Sequence, residues 1–354
     1  MMGGLRQAAG IAMLLMLGAC STVGYYFQAI DGQLEVMRRA VAIDDIIAER
    51  GPDDALSRRL GRAKAIREFA SAELALPDNA SYRRYADLGR QYVVWNVFAA
   101  PEFSVRPSES CFPFAGCVAY RGFYAEADAR SYAGELAGKG LDTYVGGVPA
   151  YSTLGWFDDP VLSTFVNYPE TEFARIIFHE LAHQVVYVRD DTQFNESFAV
   201  AVEQEGVRRW LAKGGGTQAG DALRLWSSAR ARQAEFFAMT NRHRELLARI
   251  YASGESDADK RRAKSAQLRS MLEEYAVLKE KWGGFAGYDR LFAQGPNNAM
   301  LASLSVYSDY VPHFAALIAK HHGNMKMFYA EVTALSRLDK AKRAAALRAA
   351  TTRD

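Results

Sequence analysis

Two histidines four residues apart, with an acid between them, are the side chains of this sequence best placed to do chemistry. His179-Glu180-Leu181-Ala182-His183 sits in an apolar run with Ile176, Ile177, Phe178, Val185 and Val186 around it. Apolar residues on every side predict a buried helix, and ionisable side chains are costly to bury without partners. At this spacing both imidazoles leave one helix face, one turn apart. That arrangement suits a tetrahedral Zn²⁺ with nitrogen ligands at about 2.0–2.1 Å. Glu180 is rotated by about 100° from His179, so it can reach a water at the metal without ligating the metal. The pattern is H-E-x-x-H, in which the acid is the general base of a hydrolysis. One Zn²⁺ is the expected cofactor.

The remaining ligand has to come from elsewhere. Arg189-Asp190-Asp191 breaks the helix, and Thr192 reads as the N-cap of the next one. At 1.5 Å per residue, His183 lies about 7–8 Å before the first helix ends and Glu196 about 6 Å into the second. Folded back antiparallel, the second helix brings Glu196 level with His183, so Glu196 is the expected third ligand. Glu203, two turns further on the same face, competes for that role; otherwise it accepts the Nδ1–H of His179 or is solvated. Val186 and Arg189 occupy the positions where a glycine and a third histidine would extend the motif.

An oxyanion formed in such a reaction needs a second donor. Tyr307, Tyr310 and His313 in Tyr-Ser-Asp-Tyr-Val-Pro-His are candidates, with ordinary packing or exposure open for each. A substrate held by a free α-amine would also need an anion in the site. Asp158 and Asp159 could supply it, although Asp-Asp-Pro is equally a turn. An extended substrate is expected to lie along the strand region 144–167 by adding to a sheet edge.

The elements that must position these groups follow from periodicity. Tyr25, Tyr26, Ile30, Leu34, Met37 and Val41 have helical spacing over 21–45. Helices are predicted over 53–75, 81–92 and 126–136. Strands are predicted over 92–98, 103–105, 117–123, 141–148 and 161–167. From 170 onward the pattern is helical, with helices near 171–188 and 192–211. Residues 219–253 and 257–283 form a charged helical hairpin. The expected class is α+β and mostly α-helical, with a small mixed sheet and that long arm. The expected division is an N-terminal helical region 20–90, a catalytic core 91–215 and a helical region 216–354.

With 354 residues, 49% apolar and 24% charged, and a net charge of +2, the composition is that of a globular protein and gives no reason to expect nucleic acid as a partner. Arg6 followed by the short apolar stretch 8–17 predicts an export signal. Leu17-Gly18-Ala19-Cys20 resembles the lipobox of bacterial lipoprotein precursors, which implies cleavage after residue 19 and lipid on Cys20. Ser21 then points to the outer membrane of the cell envelope, facing the periplasm. The partners expected are a membrane, reached through the lipid, and a peptide or protein substrate. Outside the cytoplasm Cys111 and Cys117 are expected to form a disulfide, although two reduced thiols stay open.

His179-Glu-Leu-Ala-His-Gln184 and Phe194-Asn-Glu-Ser-Phe-Ala199 resemble the bacterial family of predicted zinc-dependent aminopeptidase lipoproteins. So do Trp95-Asn-Val97, Cys117-Val-Ala-Tyr-Arg-Gly122 and the run 150–160. The resemblance covers nearly all of the chain after the leader and implies a zinc metallopeptidase with a zincin-like core. In wider terms the Glu ligand is similar to that of gluzincins, but Val200 stands where those enzymes place an acid four residues after it. Two other readings stay open: an envelope endopeptidase, and a metal-binding lipoprotein scaffold without activity.

Overall fold

The computed structural model describes residues 24–349 apart from 26, 113–115, 215 and 307–308. The leader expected at 1–19, Cys20 and Tyr307 therefore lie outside the described residues.

The chain opens with a helix, α1 (27–39), which runs into β1 (Ala40–Ala42), α2 (Ile43–Arg50) and α3 (Ala55–Leu74). Asp54 starts α3 by accepting the N–H groups of Leu56 and Ser57, as an N-cap should. The helix expected over 81–92 is not there. Instead β2 (Arg84–Ala86) pairs antiparallel with β1 and parallel with β8 (Val161–Leu162). Its partners in the sheet, far off in sequence, decide its conformation. Only two residues of the strand expected over 161–167 are extended; after Leu162 the chain turns.

A second sheet has the order β6-β3-β7, with β3 (Val94–Pro101) between β6 (Arg121–Phe123) and β7 (Leu141–Val148), all antiparallel. Side chains on β3 alternate between faces. Trp95 and Val97 pack with Ala129 and Ala133 of α4 (Glu126–Gly138), while Phe98 and Ala100 pack on the opposite side. The strand expected over 103–105 is a turn, closed by Ser104 N–H on the Pro101 carbonyl. β4 (Ser110–Phe112) and β5 (Gly116–Val118) form the hairpin across the cysteines, and Cys111 and Cys117 are disulfide-bonded. The single strand expected over 117–123 is thus two, β5 and β6, in different sheets.

The rest is helical. The helices that carry His179, His183 and Glu196 are α5 (Glu170–His183) and α6 (Thr192–Lys213). The arm is α7 (Gly216–Ala252) and α8 (Asp257–Lys281), close to the expected bounds. Then come α9 (Asp289–Phe292), α10 (Asn298–Val306), α11 (Val311–Lys320), α12 (Met325–Ser336) and α13 (Lys340–Ala349). One buried apolar cluster runs from Val36 through Phe69, Phe178 and Phe198 to Phe328 and Leu347, so the first and last helices share a core with α5 and α6. A second cluster joins Phe236 and Met271 of the arm to Phe98 and Tyr144 of the sheet.

Candidate metal centre

α5 ends at His183, earlier than the sequence suggests, and residues 185–191 turn the chain back. Asn195 fixes this turn. Its Oδ1 accepts the Val188 N–H and its Nδ2 donates to the Val188 carbonyl, both at 2.8 Å. The N-cap of α6 is Asp191 rather than Thr192: one carboxylate oxygen accepts the Phe194 N–H. The other accepts Arg343 at 2.7 and 3.0 Å in a buried ion pair. The start of α6 is thereby anchored at two residues, Asp191 and Asn195. Gly206 lets the helices close further along, since a Cβ there would lie 2.6 Å from the Phe178 ring and 2.8 Å from Leu74.

The result is a cluster of three donor atoms. His179 Nε2 lies 3.3 Å from Glu196 Oε2, His183 Nε2 lies 3.2 Å from His179 Nε2, and His183 Nε2 lies 3.7 Å from Glu196 Oε2. All three residues are buried. Donors bound tetrahedrally at about 2.0–2.1 Å lie about 3.3–3.4 Å apart. The observed triangle is close to one face of such a tetrahedron, so two imidazole nitrogens and a carboxylate here fit a metal ion.

The tautomer is set from behind. His179 Nδ1 lies 2.9 Å from Glu203 Oε2, and the same oxygen accepts Arg175 Nη1 at 3.0 Å. Holding a proton on Nδ1, this bond would leave Nε2 free to offer a lone pair to a bound ion. Glu203 is thus placed against His179 and not beside Glu196. His183 Nδ1 has no hydrogen-bond partner among the described residues, although it is buried. Gln184, next to it, is tied to Asn79 at 2.7 Å and to Ser81 at 3.2 Å, which fixes the end of α5.

A computed profile of the putative aminopeptidase family matches residues 24–347. The chain belongs to that family. No curated protein and no solved structure matches it. The family is one of peptidases by description, and the buried His179, His183 and Glu196 group is compatible with a metal ion in such an enzyme.

Electrostatics around the cluster follow from burial and charge. Burial raises the Glu180 carboxyl above its ordinary value, against the opposing pull of His179 and His183. For Glu196 burial also acts upward, but His183 and then His179 outweigh it and bring the group down to about 2. Burial would lower His179, and its hydrogen bonds to Glu196 and Glu203 reverse that, to about 10. Arg175 keeps Glu203 low despite its burial. A carboxylate held ionised beside imidazoles is a ready cation ligand.

The cluster opens on a cavity of about 760 Å³, into which Glu180 also faces. Val94, Phe112 and Val118 wall it from the sheet and the disulfide hairpin, while Phe236 and Leu291 wall it from the arm side. Tyr120, between β5 and β6, is part of this wall, and sequence reasoning missed it as a site residue. Burial, then the charges of Glu196, Tyr187 and Glu180, hold its hydroxyl well above the usual phenol range. Arg175 was missed too, although it stands four residues before His179 on the same helix face, which is a readable signal.

Several other expected site residues are elsewhere. Tyr310 is buried behind α6, its N–H on Ser197 Oγ at 3.3 Å and its ring under Arg348; it is not among the cavity residues. His313 packs beside the Tyr310 ring. Asp158 is exposed, and Asp159 is buried outside the cavity wall, accepting the Thr153 N–H at 3.0 Å, so the turn reading fits this pair. Of the strand region expected to take substrate, Val148 to Ser152 and Leu154 line the cavity, whereas the outer edge of β7 before them is occupied. Gln294 bonds both the N–H and the carbonyl of Val145, and Asn297 donates to the Thr143 carbonyl.

Proposed function

We propose that the protein is a zinc-dependent aminopeptidase of the cell envelope, built on a zincin-like core and held at the outer membrane by lipid on Cys20. The convergence of His179 Nε2, His183 Nε2 and Glu196 Oε2 inside a cavity that Glu180 also lines carries this reading. His179, His183 and Glu196 would hold the ion. When bound, zinc supplies Lewis acidity toward the scissile carbonyl and toward water.

The chain's own groups do the rest. Glu180, next to His179 but turned to another side of α5, is assigned to take a proton from the attacking water and pass it to the leaving amine. Burial raises its carboxyl, which is the direction that helps a carboxylate accept and then release a proton. Tyr120 is assigned as the donor to the developing oxyanion, in place of Tyr310. Glu203, with Arg175 behind it, holds the His179 ring and its tautomer. The apolar walls exclude water from the reacting groups and receive side chains of the substrate.

A second reading, endopeptidase, has one observation in its favour. Among the described residues the carboxylates lining the cavity are Glu196 of the metal cluster, Glu203 bonded to His179, and Glu180, which is assigned to proton transfer; neither Asp158 nor Asp159 joins them to receive an α-amine. Digestion of a mixed peptide library with mass-spectrometric readout separates the two. Loss of single N-terminal residues supports the aminopeptidase, and internal cuts favour the endopeptidase. No cleavage by the zinc-loaded chain would overturn both.

A further inference from the structure

α1 carries apolar side chains on its outward face as well as Val36 on its inward one. Beside Val36, its inward face carries polar groups that bond to the body of the protein. Gln28 Nε2 donates to the Gly122 carbonyl at 3.4 Å, and Gln28 Oε1 accepts the Tyr124 N–H at 3.0 Å. Gln33 Oε1 accepts from the hydroxyls of Tyr124 and Tyr151. Gly32 allows this close seat, because a Cβ there would lie 2.2 Å from the Tyr124 ring. The outward face carries Phe27, Ile30, Leu34 and Met37, exposed by 69, 56, 44 and 39%, and Val41 of β1 continues the row at 46%. At about 100° per residue the four helical positions fall within about 80° of the circumference. They form one continuous apolar stripe, bordered by the exposed Arg38 and Asp31, 3.6 Å apart.

The periodicity that predicts a helix here also suggests that these residues face the core. They do not. A stripe of this kind marks an interaction surface, and its place in the chain identifies the occupant. Phe27 is seven residues after Cys20, where the lipobox-like sequence places a lipid. Cleavage there removes the apolar stretch 8–17, and the four residues 20–23 are too few to cover the stripe. A helix with one apolar face beside an acyl anchor lies in the plane of a lipid surface with that face inserted. We infer that α1 is a membrane-apposition surface, with Phe27, Ile30, Leu34 and Met37 seated among the acyl chains of the lipid leaflet that holds Cys20.

The same helix is a wall of the metal-centre cavity through Ala29, and Tyr25, two residues before it, lines the cavity as well. Seating the stripe in lipid therefore sets the cavity close against the membrane. Peptides at or near the surface are the substrates this orientation favours. The inference rests on lipid attachment at Cys20 for its choice of occupant, and on nothing in the reaction assigned to the cavity.

The test uses the mature full chain in vesicles of phosphatidylethanolamine and phosphatidylglycerol. Nitroxide labels are attached at Ile30→Cys, Leu34→Cys and, as a control on the exposed side of α8, Arg262→Cys; Cys111 and Cys117 are disulfide-bonded and do not react. Flotation reports the anchor, and the labels report the stripe. At positions 30 and 34, oxygen should relax the label several-fold more effectively than a water-soluble nickel chelate, with the reverse order at 262. A floated chain whose labels at 30 and 34 behave like that at 262 would overturn the inference and leave the anchor standing. So would labels at 30 and 34 shielded from both reagents with spin–spin broadening between chains, which would assign the stripe to a second copy. A chain that does not float at all would overturn the anchor and the inference together.

Discussion

Glu203 Oε2 stands 2.9 Å from His179 Nδ1, on the side of the ring away from the donor triangle, and 3.0 Å from Arg175 Nη1. One buried oxygen thus joins a cation to a candidate metal ligand. A partner of this sort raises the basicity of an imidazole and fixes its orientation. Glu203→Gln keeps the shape and removes the charge. The variant should bind zinc about 10- to 100-fold more weakly, measured by competition with a chromophoric chelator. Unchanged affinity would assign Glu203 to packing alone.

Tyr120 reaches the cavity from the short loop between β5, which carries Cys117, and β6. Removing a single oxyanion donor costs about 10²–10³ in kcat. Tyr120→Phe should lower kcat toward that extent with little change in KM, whereas Tyr310→Phe should leave both alone because Tyr310 is buried behind α6. A large loss from Tyr310→Phe and none from Tyr120→Phe would reverse the assignment.

Asp159 gives the fold a pH dependence. Burial lifts its carboxyl from 3.8 to about 6, against the bonds from Thr153 and Ser152 that favour the ionised form. A group whose folded pKa is raised contributes stability fully present below its unfolded value and lost as pH rises through the folded one. Between about pH 4 and pH 6 the protein should therefore lose on the order of 3 kcal/mol from this residue. Asp159→Asn should flatten that part of the profile in urea unfolding. An unchanged profile would show that the carboxyl is not the source.

The disulfide closes a short loop, so its effect should be modest. On the chain-entropy account Cys111→Ser with Cys117→Ser should cost about 2 kcal/mol. Phe112 and Val118 of the same hairpin line the cavity, so KM should rise as well. Steady-state kinetics at a temperature where both forms are folded separates the two effects.

The centre of this fold was legible because its pattern is local. The apolar setting of His179 and His183, and the distance of Glu196 along the next helix, need only helical geometry, and the structure brings the three together. The arm was legible for the same reason: long charged helices with a polar break announce their own bounds. What escaped were features decided at long range. Tyr85 and Ala86 are extended because Val41 and Ala40 lie on one side of them and Val161 and Leu162 on the other. Tyr120 faces the cavity because β6 pairs with β3, and no spacing near residue 120 encodes that pairing. The α1 stripe was visible as a period, but periodicity shows only that a helix has two faces. Which face turns inward was decided by Gln28, Gln33 and Gly32.

The central claim is that Glu180 moves protons at a zinc ion held by His179, His183 and Glu196. The most direct measurement is peptide hydrolysis by Glu180→Gln, with bound zinc quantified in the same sample. The account predicts one zinc per chain in both proteins and a loss of kcat of at least about 10²-fold in the variant. Full activity in a zinc-loaded Glu180→Gln protein would contradict it.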